Sequence, residues 1–316
     1  MEEKPKVVVT RTRRPEAATR DFTFTADMLP AGGPLQDYRK RAWEAYKGLS
    51  LPTPSEEAWR RTDLRGLPAG TLRLPAPEAW RDLPPVPAHL LRPLVADQHG
   101  GQVVLLPGGK VADSLTLSDS LTQKGVIFTD LQTAARDHPD LVARMAGQTV
   151  RVEEGKFAAL AGAFSQNGVV LYVPKGVTVE QPLLSVLWGP GAGLAHVAHV
   201  LVWVDDGASV TYVHEAASPD EATSMHAGLL EVRVGEGASL KFVELQSWGR
   251  GVWNFSHERV QVGRGGNLDW IFGAVGSRLT KNFSELDLAD EGATGRMSGF
   301  YFTDGEQHLD HDTQQN

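Results

Sequence analysis

The stretch VLVWVDDGASVTYVHE (200–215) decides the fold. Val200, Val202 and Val204 alternate with other residues in the period of a strand, an acidic pair and Gly207 interrupt them, and a second alternating run follows. The same order returns in LLEVRVGEGASLKFVE (229–244), ERVQVGRGGNLDWIFG (258–273) and ELDLADEGATGRMSGF (285–300). The turn glycines Gly207, Gly237, Gly265 and Gly292 stand 30, 28 and 27 residues apart. Gly176, in LYVPKGVTVEQP, precedes Gly207 by 31 and fits as an earlier, looser copy. A near-constant period marks a stacked array whose units cannot bury their apolar faces alone. Short strands without intervening helix exclude helical repeats, and propeller blades need four strands and about 40 residues. What remains is a β-helix with two or three strands per coil, or a β-sandwich of hairpins with repeated turns. In the β-helix reading, coils stack at ~4.8 Å and five of them make a body roughly 20–25 Å tall. Val200, Val202 and Val204 then form inward ladders with Leu230, Val232 and Val234.

Upstream of the repeats the character differs. Residues 1–34 are polar and proline-punctuated, and Arg11, Arg13 and Arg14 read as part of a mobile tail. Leu35, Tyr38, Ala42, Trp43, Tyr46 and Leu49 share one helix face, which Gly48 and Pro52 end. Ser55 as N-cap with Glu56 and Glu57 in the first turn predicts a second helix carrying Ala58, Trp59 and Leu64. Pro68, Pro75, Pro77, Pro84, Pro85, Pro87 and Pro93 make 67–94 an extended linker. The expected organisation is a tail and small N-terminal helical domain over 1–66, that linker, and a β-helix core over 95–316. Within the core, a short strand pair is expected at Val103–Leu106 and Val126–Phe128. A helix broken near Pro139 and another over Lys156–Phe164 complete the prediction.

Composition removes several functions. The 31 Lys and Arg against 39 Asp and Glu leave a net charge of −8, the wrong sign for a nucleic-acid binder. With 41% hydrophobic residues the chain can bury a core. It contains no cysteine, hence no disulfide, thiolate metal site or cysteine nucleophile. MEEKPKVVV is no secretory signal and no run reaches the ~18 apolar residues of a membrane span, so a cytoplasmic protein without membrane contact is expected.

Chemistry-bearing residues are sparse. His308, Asp310, His311 and Asp312 crowd the end of the chain, and His308, Asp310 and His311 are the candidates for a metal, being of ligand types that suit zinc or iron. Residues 308 and 311 fall on opposite faces of a strand, so such a site needs a turn there; a hydrogen-bonded polar turn is the preferred reading. His196, His199 and His214 sit at strand ends and read as satisfied core groups before ligands. GPGAG (189–193) lacks the Lys and Ser/Thr of a phosphate loop and reads as a connection between coils. The pairs Asp205/Asp206 and Asp287/Asp290 flank turns and could act as general acid and base in a β-helix carbohydrate-active enzyme. No partner base orients them, and no catalytic residue is assigned.

Four stretches in order carry a resemblance: PTPSEEAWRRTDL (52–64), AFSQNGVVLYVPKGVTVEQPL (163–183), HVLVWVDDGASVTYVHE (199–215) and GFYFTDGEQHLDHDTQQN (299–316). Together they resemble the SufB/SufD family of iron–sulfur cluster assembly proteins over roughly 35–316. The first looks like the N-terminal signature of SufD, the last like the family's H-x-D-H-x-T-x-Q-N segment. The resemblance implies a right-handed parallel β-helix and a non-catalytic scaffold subunit pairing with a SufB-like protein and a SufC-like ATPase. ATP hydrolysis and most thiolate ligands then belong to the partners. No intrinsic cofactor is implied, only transient iron or an iron–sulfur cluster in the assembled complex. Family members continue past the H-x-D-H segment through further coils, a Cys-Ser-His-Gly-type segment and a helical domain, whereas this chain stops at Asn316. A solenoid incomplete at that end is expected to expose strand edges, and so to aggregate or pair as a homodimer. The carbohydrate-active enzyme and a metal-storing module on His308 and His311 are the competing functions.

Overall fold

The repeats wind into a solenoid of two facing sheets. The computed structural model describes residues 21–91, 99–111, 116–219 and 222–316. Strand β1 (Gly101–Leu106) begins the first sheet, with β2 (Lys110–Val111) and β3 (Thr116–Leu117) antiparallel to it. Strand β4 (Ile127–Asp130) begins the second, antiparallel to β5 (Val169–Val173). From there the sheets alternate. Strands β6 (Leu183–Trp188), β8 (Ser209–Ala217), β10 (Ser239–Trp248), β12 (Asn267–Gly276) and β14 (Thr294–Phe302) extend the first. Strands β7 (Ala195–Val204), β9 (Ser224–Val234), β11 (Val252–Val262), β13 (Leu279–Leu288) and β15 (His308–Gln315) extend the second. Every neighbouring pair among β5 to β15 within a sheet is parallel, so the turn at Gly207 is a crossing between sheets, not a hairpin. That disposes of the sandwich reading: five two-strand coils, β5–β6 to β13–β14, are followed by β15.

The register is the one the repeat implies. Val200, Val202 and Val204 stand beside Leu230, Val232 and Val234. The ladder through Val202 runs Leu171, Val202, Val232, Val260, Leu286, all of them fully buried or nearly so. On the opposite sheet Tyr212, Phe242, Trp270 and Met297 align. Parallel coils bury identical positions against one another, which is why a one-residue offset would turn each strand's apolar set outward.

Two kinds of glycine hold this winding. Gly237 and Gly265, at φ +61° and +59°, have open space where a side chain would project. Gly276, at φ +78°, ends β12 over the backbone of the preceding coil, and a Cβ there would lie 1.8 Å from the Trp248 carbonyl oxygen. We expect Gly276→Ala to lower stability by about 2–4 kcal/mol. Gly237→Asn should cost less than about 1 kcal/mol, since Asn tolerates the left-handed region. Urea denaturation of both variants checks the contrast; equal losses would mean that backbone strain, not coil-to-coil contact, sets the requirement.

Most of the helices cover the outer face of the second sheet. α1 (Gln36–Gly48) buries Tyr38, Ala42 and Tyr46, three of the residues placed on its apolar face by spacing. The remaining helices are α2 (Ala88–Leu91), α3 (Asp119–Gln123), α4 (Leu131–Asp137), α5 (Pro139–Met145) and α6 (Lys156–Phe164). The Asp130 carboxylate caps α4 by accepting from Gln132 N and Thr133 N, and Pro139 opens α5 at the break that the sequence places there. α6 is apolar all round and lies between α1 and strands β7, β9 and β11. Its one charge, Lys156, is 5% exposed, and its Nζ donates to the Tyr46 and Leu49 carbonyls at the end of α1 and pairs with Asp21 at 2.9 Å.

Several expectations change. Ser55 caps no helix: its Oγ lies 2.6 Å from Thr53 Oγ1, and only a short 3-10 turn, Glu57–Trp59, forms. Trp59 is held among the rings of Phe157, Phe255 and Phe283, and the chain turns after it so that Thr62 and Leu64 are buried too. A longer helix could not reach the sheet with all three. The strands near 103 and 127 lie in different sheets and do not pair with each other. The described part of 67–94 lies on the solenoid, where Arg73 bridges to Leu194 and Leu83, Val86 and Leu90 pack with Val104, Val186 and Trp188. Phe22 and Phe24, expected within a tail, are buried against Phe157 and Phe164; Arg11, Arg13 and Arg14 lie outside the described residues.

Candidate functional site

The lumen turns polar part-way along the solenoid. Seven residues before the turn glycine, Val200 and Leu230 give way to Glu258; seven after it, His214 is followed by Glu244 and then Phe272. A further inward column reads His196, His226, Asn254, Thr280. Between the sheets these groups enclose a cavity of about 40 Å³, lined among others by His214, His226, Glu244, Gln246, Asn254 and Glu258. That is room for two or three waters at about 10–15 Å³ each. His214 and Glu244 keep some accessible surface because they face this cavity.

Hydrogen bonds tie the lining into a net. Asn254 Oδ1 lies 2.7 Å from His226 Nδ1, while its Nδ2 donates to Gln246 Oε1 at 2.9 Å. Ser284 Oγ donates to Glu258 and Trp270 Nε1 to Glu244. Ser185 Oγ lies 2.7 Å from both Tyr212 OH and His214 Nδ1. Burial drives His196 down to about 3 and His214 and His226 to about 4, so these imidazoles are neutral at pH 7. Burial raises both acids, and the neighbouring Glu258 carboxylate pushes Glu244 well above the usual range. Neutral imidazoles and two acids around this space give it polar walls suited to holding ordered water.

The coupled acids predict an unusual pH dependence. A carboxyl whose folded value is raised holds its proton longer than in the unfolded chain, so its stabilising share is complete below about pH 4.5 and is lost as pH rises through the raised value. Glu244→Gln removes that loss. At pH 8 we expect the variant to be the more stable of the two, with the difference shrinking as pH falls toward 4.5. Paired urea titrations across this range test it; parallel curves would contradict it.

The residues singled out from sequence do not converge. β15 is a continuous strand, not a turn, so His308 and Asp310 face outward and His311 inward. Asp310 accepts from Thr62 Oγ1 and pairs with the buried Lys281 at 3.0 Å; these two contacts overcome burial and hold its carboxyl low. His311 stacks between Phe272 and Tyr301, with neither ring nitrogen hydrogen-bonded. Among the described residues no group of three His, Asp or Glu side chains is placed to hold a metal. His196 points into the lumen, whereas His199 is outward and its Nε2 lies 2.8 Å from Glu231. Asp205 accepts from Tyr172 OH, and Asp206 accepts from Glu236 N and Lys175, so both are spent on the turn. Asp287 takes the Asn316 amide, and Asp290 lies in the turn after β13. GPGAG connects β6 to β7, as expected. His226, Glu244 and Glu258 were missed. Their signal was present: Glu258 occupies the repeat position held by Val200 and Leu230.

Two family models match consecutive parts of the chain: the SufBD protein N-terminal region over 101–184, and the SUF system FeS cluster assembly SufBD core domain over 188–316. The second begins at the end of β6 and covers the four later coils and β15. The chain belongs to the SufBD family. Curated SufBD relatives agree. An iron–sulfur cluster assembly SufBD family protein of Staphylococcus epidermidis is 31% identical over 195 residues, 61% of this chain and 42% of its own length. Those of Staphylococcus haemolyticus and Staphylococcus aureus are 32% and 30% identical over 187 residues, 59% of this chain and 40% of theirs. The chain thus spans under half the length of the SufBD relatives it matches. Among the described residues no helix is long and apolar enough to cross a membrane.

Proposed function

We propose that this chain acts in iron–sulfur cluster assembly as a SufD-like, non-catalytic scaffold subunit in the cytoplasm, paired with a SufB-like protein and a SufC-like ATPase. The matches to two SufBD models across the solenoid carry this reading. The absence of cysteine from all 316 residues agrees with it, because no thiolate of these coils can hold a cluster. Iron or the cluster is then cargo of the complex and no resident cofactor of this chain. Of the acids that a carbohydrate-active enzyme would use, Asp205, Asp206 and Asp287 are committed to hydrogen bonds in turns and between strands, which favours the scaffold over that alternative.

The test is anaerobic co-expression of the tagged chain with a SufB-like and a SufC-like protein, followed by size-exclusion chromatography and iron and sulfide analysis. Co-elution of all three, with iron and sulfide in the complex and no ATP turnover by this chain alone, is the expected result. Elution apart from both partners would overturn the proposal.

A further inference from the structure

A groove between the 30–35 segment, α1 and α4 lies away from the lumen. It is about 570 Å³ in volume, within the range of small-molecule sites. Pro30, Pro34, Leu131 and Ala135 give it apolar walls, and Arg39 of α1 lines it. Arg39 is half-buried, and its Nε is enclosed without a hydrogen-bond partner. One Nη donates to the Ser165 carbonyl at 3.3 Å, and among the described residues no carboxylate pairs with the guanidinium.

The other buried or half-buried cations among the described residues are answered by acids. Lys156 meets Asp21, Lys281 meets Asp310, and Arg259 meets Glu154 and Glu285. Arg136, also in the groove wall, is engaged by Asp137 at 2.7 and 2.9 Å. A guanidinium keeps its charge at any physiological pH and presents a planar fork that matches oxyanions. Enclosing one without a counter-charge costs stability unless an anion completes it.

We propose that this groove binds a small organic oxyanion, a carboxylate or phosphate head on an apolar body, with Arg39 holding the head and the proline-lined wall the body. The site is independent of the lumen and of cluster assembly.

Isothermal titration calorimetry on the 316-residue chain tests it with phenyl phosphate, benzoate, inorganic phosphate and neutral benzyl alcohol. At least one of phenyl phosphate and benzoate should bind with Kd below about 1 mM, and the tighter one names the head group. Inorganic phosphate should bind at least about tenfold more weakly than phenyl phosphate if the head is phosphate, and benzyl alcohol should give no heat. Arg39→Gln should weaken binding at least about tenfold, and Arg233→Gln, on a different surface, should leave it unchanged. Ala135→Trp fills the groove while keeping Arg39, so it carries the test if Arg39→Gln fails to fold; it too should weaken binding at least about tenfold. Binding that survives Arg39→Gln or Ala135→Trp, equal binding of benzyl alcohol, or no binding of either aryl oxyanion by the native chain overturns the proposal.

Discussion

Glu231→Ala is expected to cost about 3–5 kcal/mol, because it strips a buried carboxylate from donors that have no other acceptor. Glu231 is 3% exposed on the outer face of β9. Its oxygens accept from Gly147 N at 2.7 Å, Thr149 N at 2.8 Å and Val150 N at 3.3 Å, and from His199 Nε2 at 2.8 Å. One side chain thus fastens the segment between α5 and α6 to two coils. Beside it in register, Arg259 binds the Thr149 carbonyl, Glu154 and Glu285, extending the clamp to the next strands. Burial pushes the Glu231 carboxyl upward, but the His199 bond and charge and the backbone donors hold it below the ordinary value. A depressed carboxylate stabilises above about pH 4.5 and loses that share as pH falls through its folded value. The gap between native and variant should therefore be full at pH 7 and close in acid, as read by urea denaturation at each pH. Glu231→Gln should fall between the two, since an amide accepts through one oxygen only. A loss under about 1 kcal/mol at pH 7 would mean that water replaces the carboxylate.

Trp270→Ala is expected to cost a similar amount, about 3–5 kcal/mol, by a different route. Trp270 is fully buried in the lumen and completes the ladder Tyr212, Phe242, Trp270, Met297, with its ring 5.8 Å from that of Phe242. Truncation leaves a cavity that parallel coils, fixed by their backbone ladders, cannot collapse to fill. It also removes the indole donor from Glu244. Trp270→Phe keeps most of the volume and should cost about 1–2 kcal/mol more than nothing and less than half the alanine loss. Because coils are coupled only to their neighbours, a weakened fourth coil should broaden the denaturation curve as the two halves part company. A sharp, unshifted transition for Trp270→Ala would show that the lumen repacks.

Spacing placed Val200, Val202 and Val204 against Leu230, Val232 and Val234 correctly, since the period of a parallel stack is written directly into sequence separation. It placed α6 to the residue and the break at Pro139. Helix formation at 55–64 was predicted from local capping chemistry and failed, because burying Trp59, Thr62 and Leu64 on the sheet outweighs one capped turn. The candidates His308, Asp310 and His311 were chosen for crowding along the chain, and crowding on a strand divides residues between opposite faces. His226, Glu244 and Glu258 escape notice for the converse reason: they are spread over 33 positions and converge only after winding.

Sequence alone determined the period and the residues of the inward apolar ladders, because these depend on alternation and repeat length, which are properties of neighbours along the chain; the parallel pairing of the structure decided the solenoid over the sandwich. Tertiary structure alone decided that each coil has two strands in facing sheets, that Glu231 clamps the helices to the outer face, and that acids and imidazoles meet in the lumen. Those features depend on contacts between residues tens of positions apart, where the free energy lies in burial and hydrogen-bond completion and no local pattern records it.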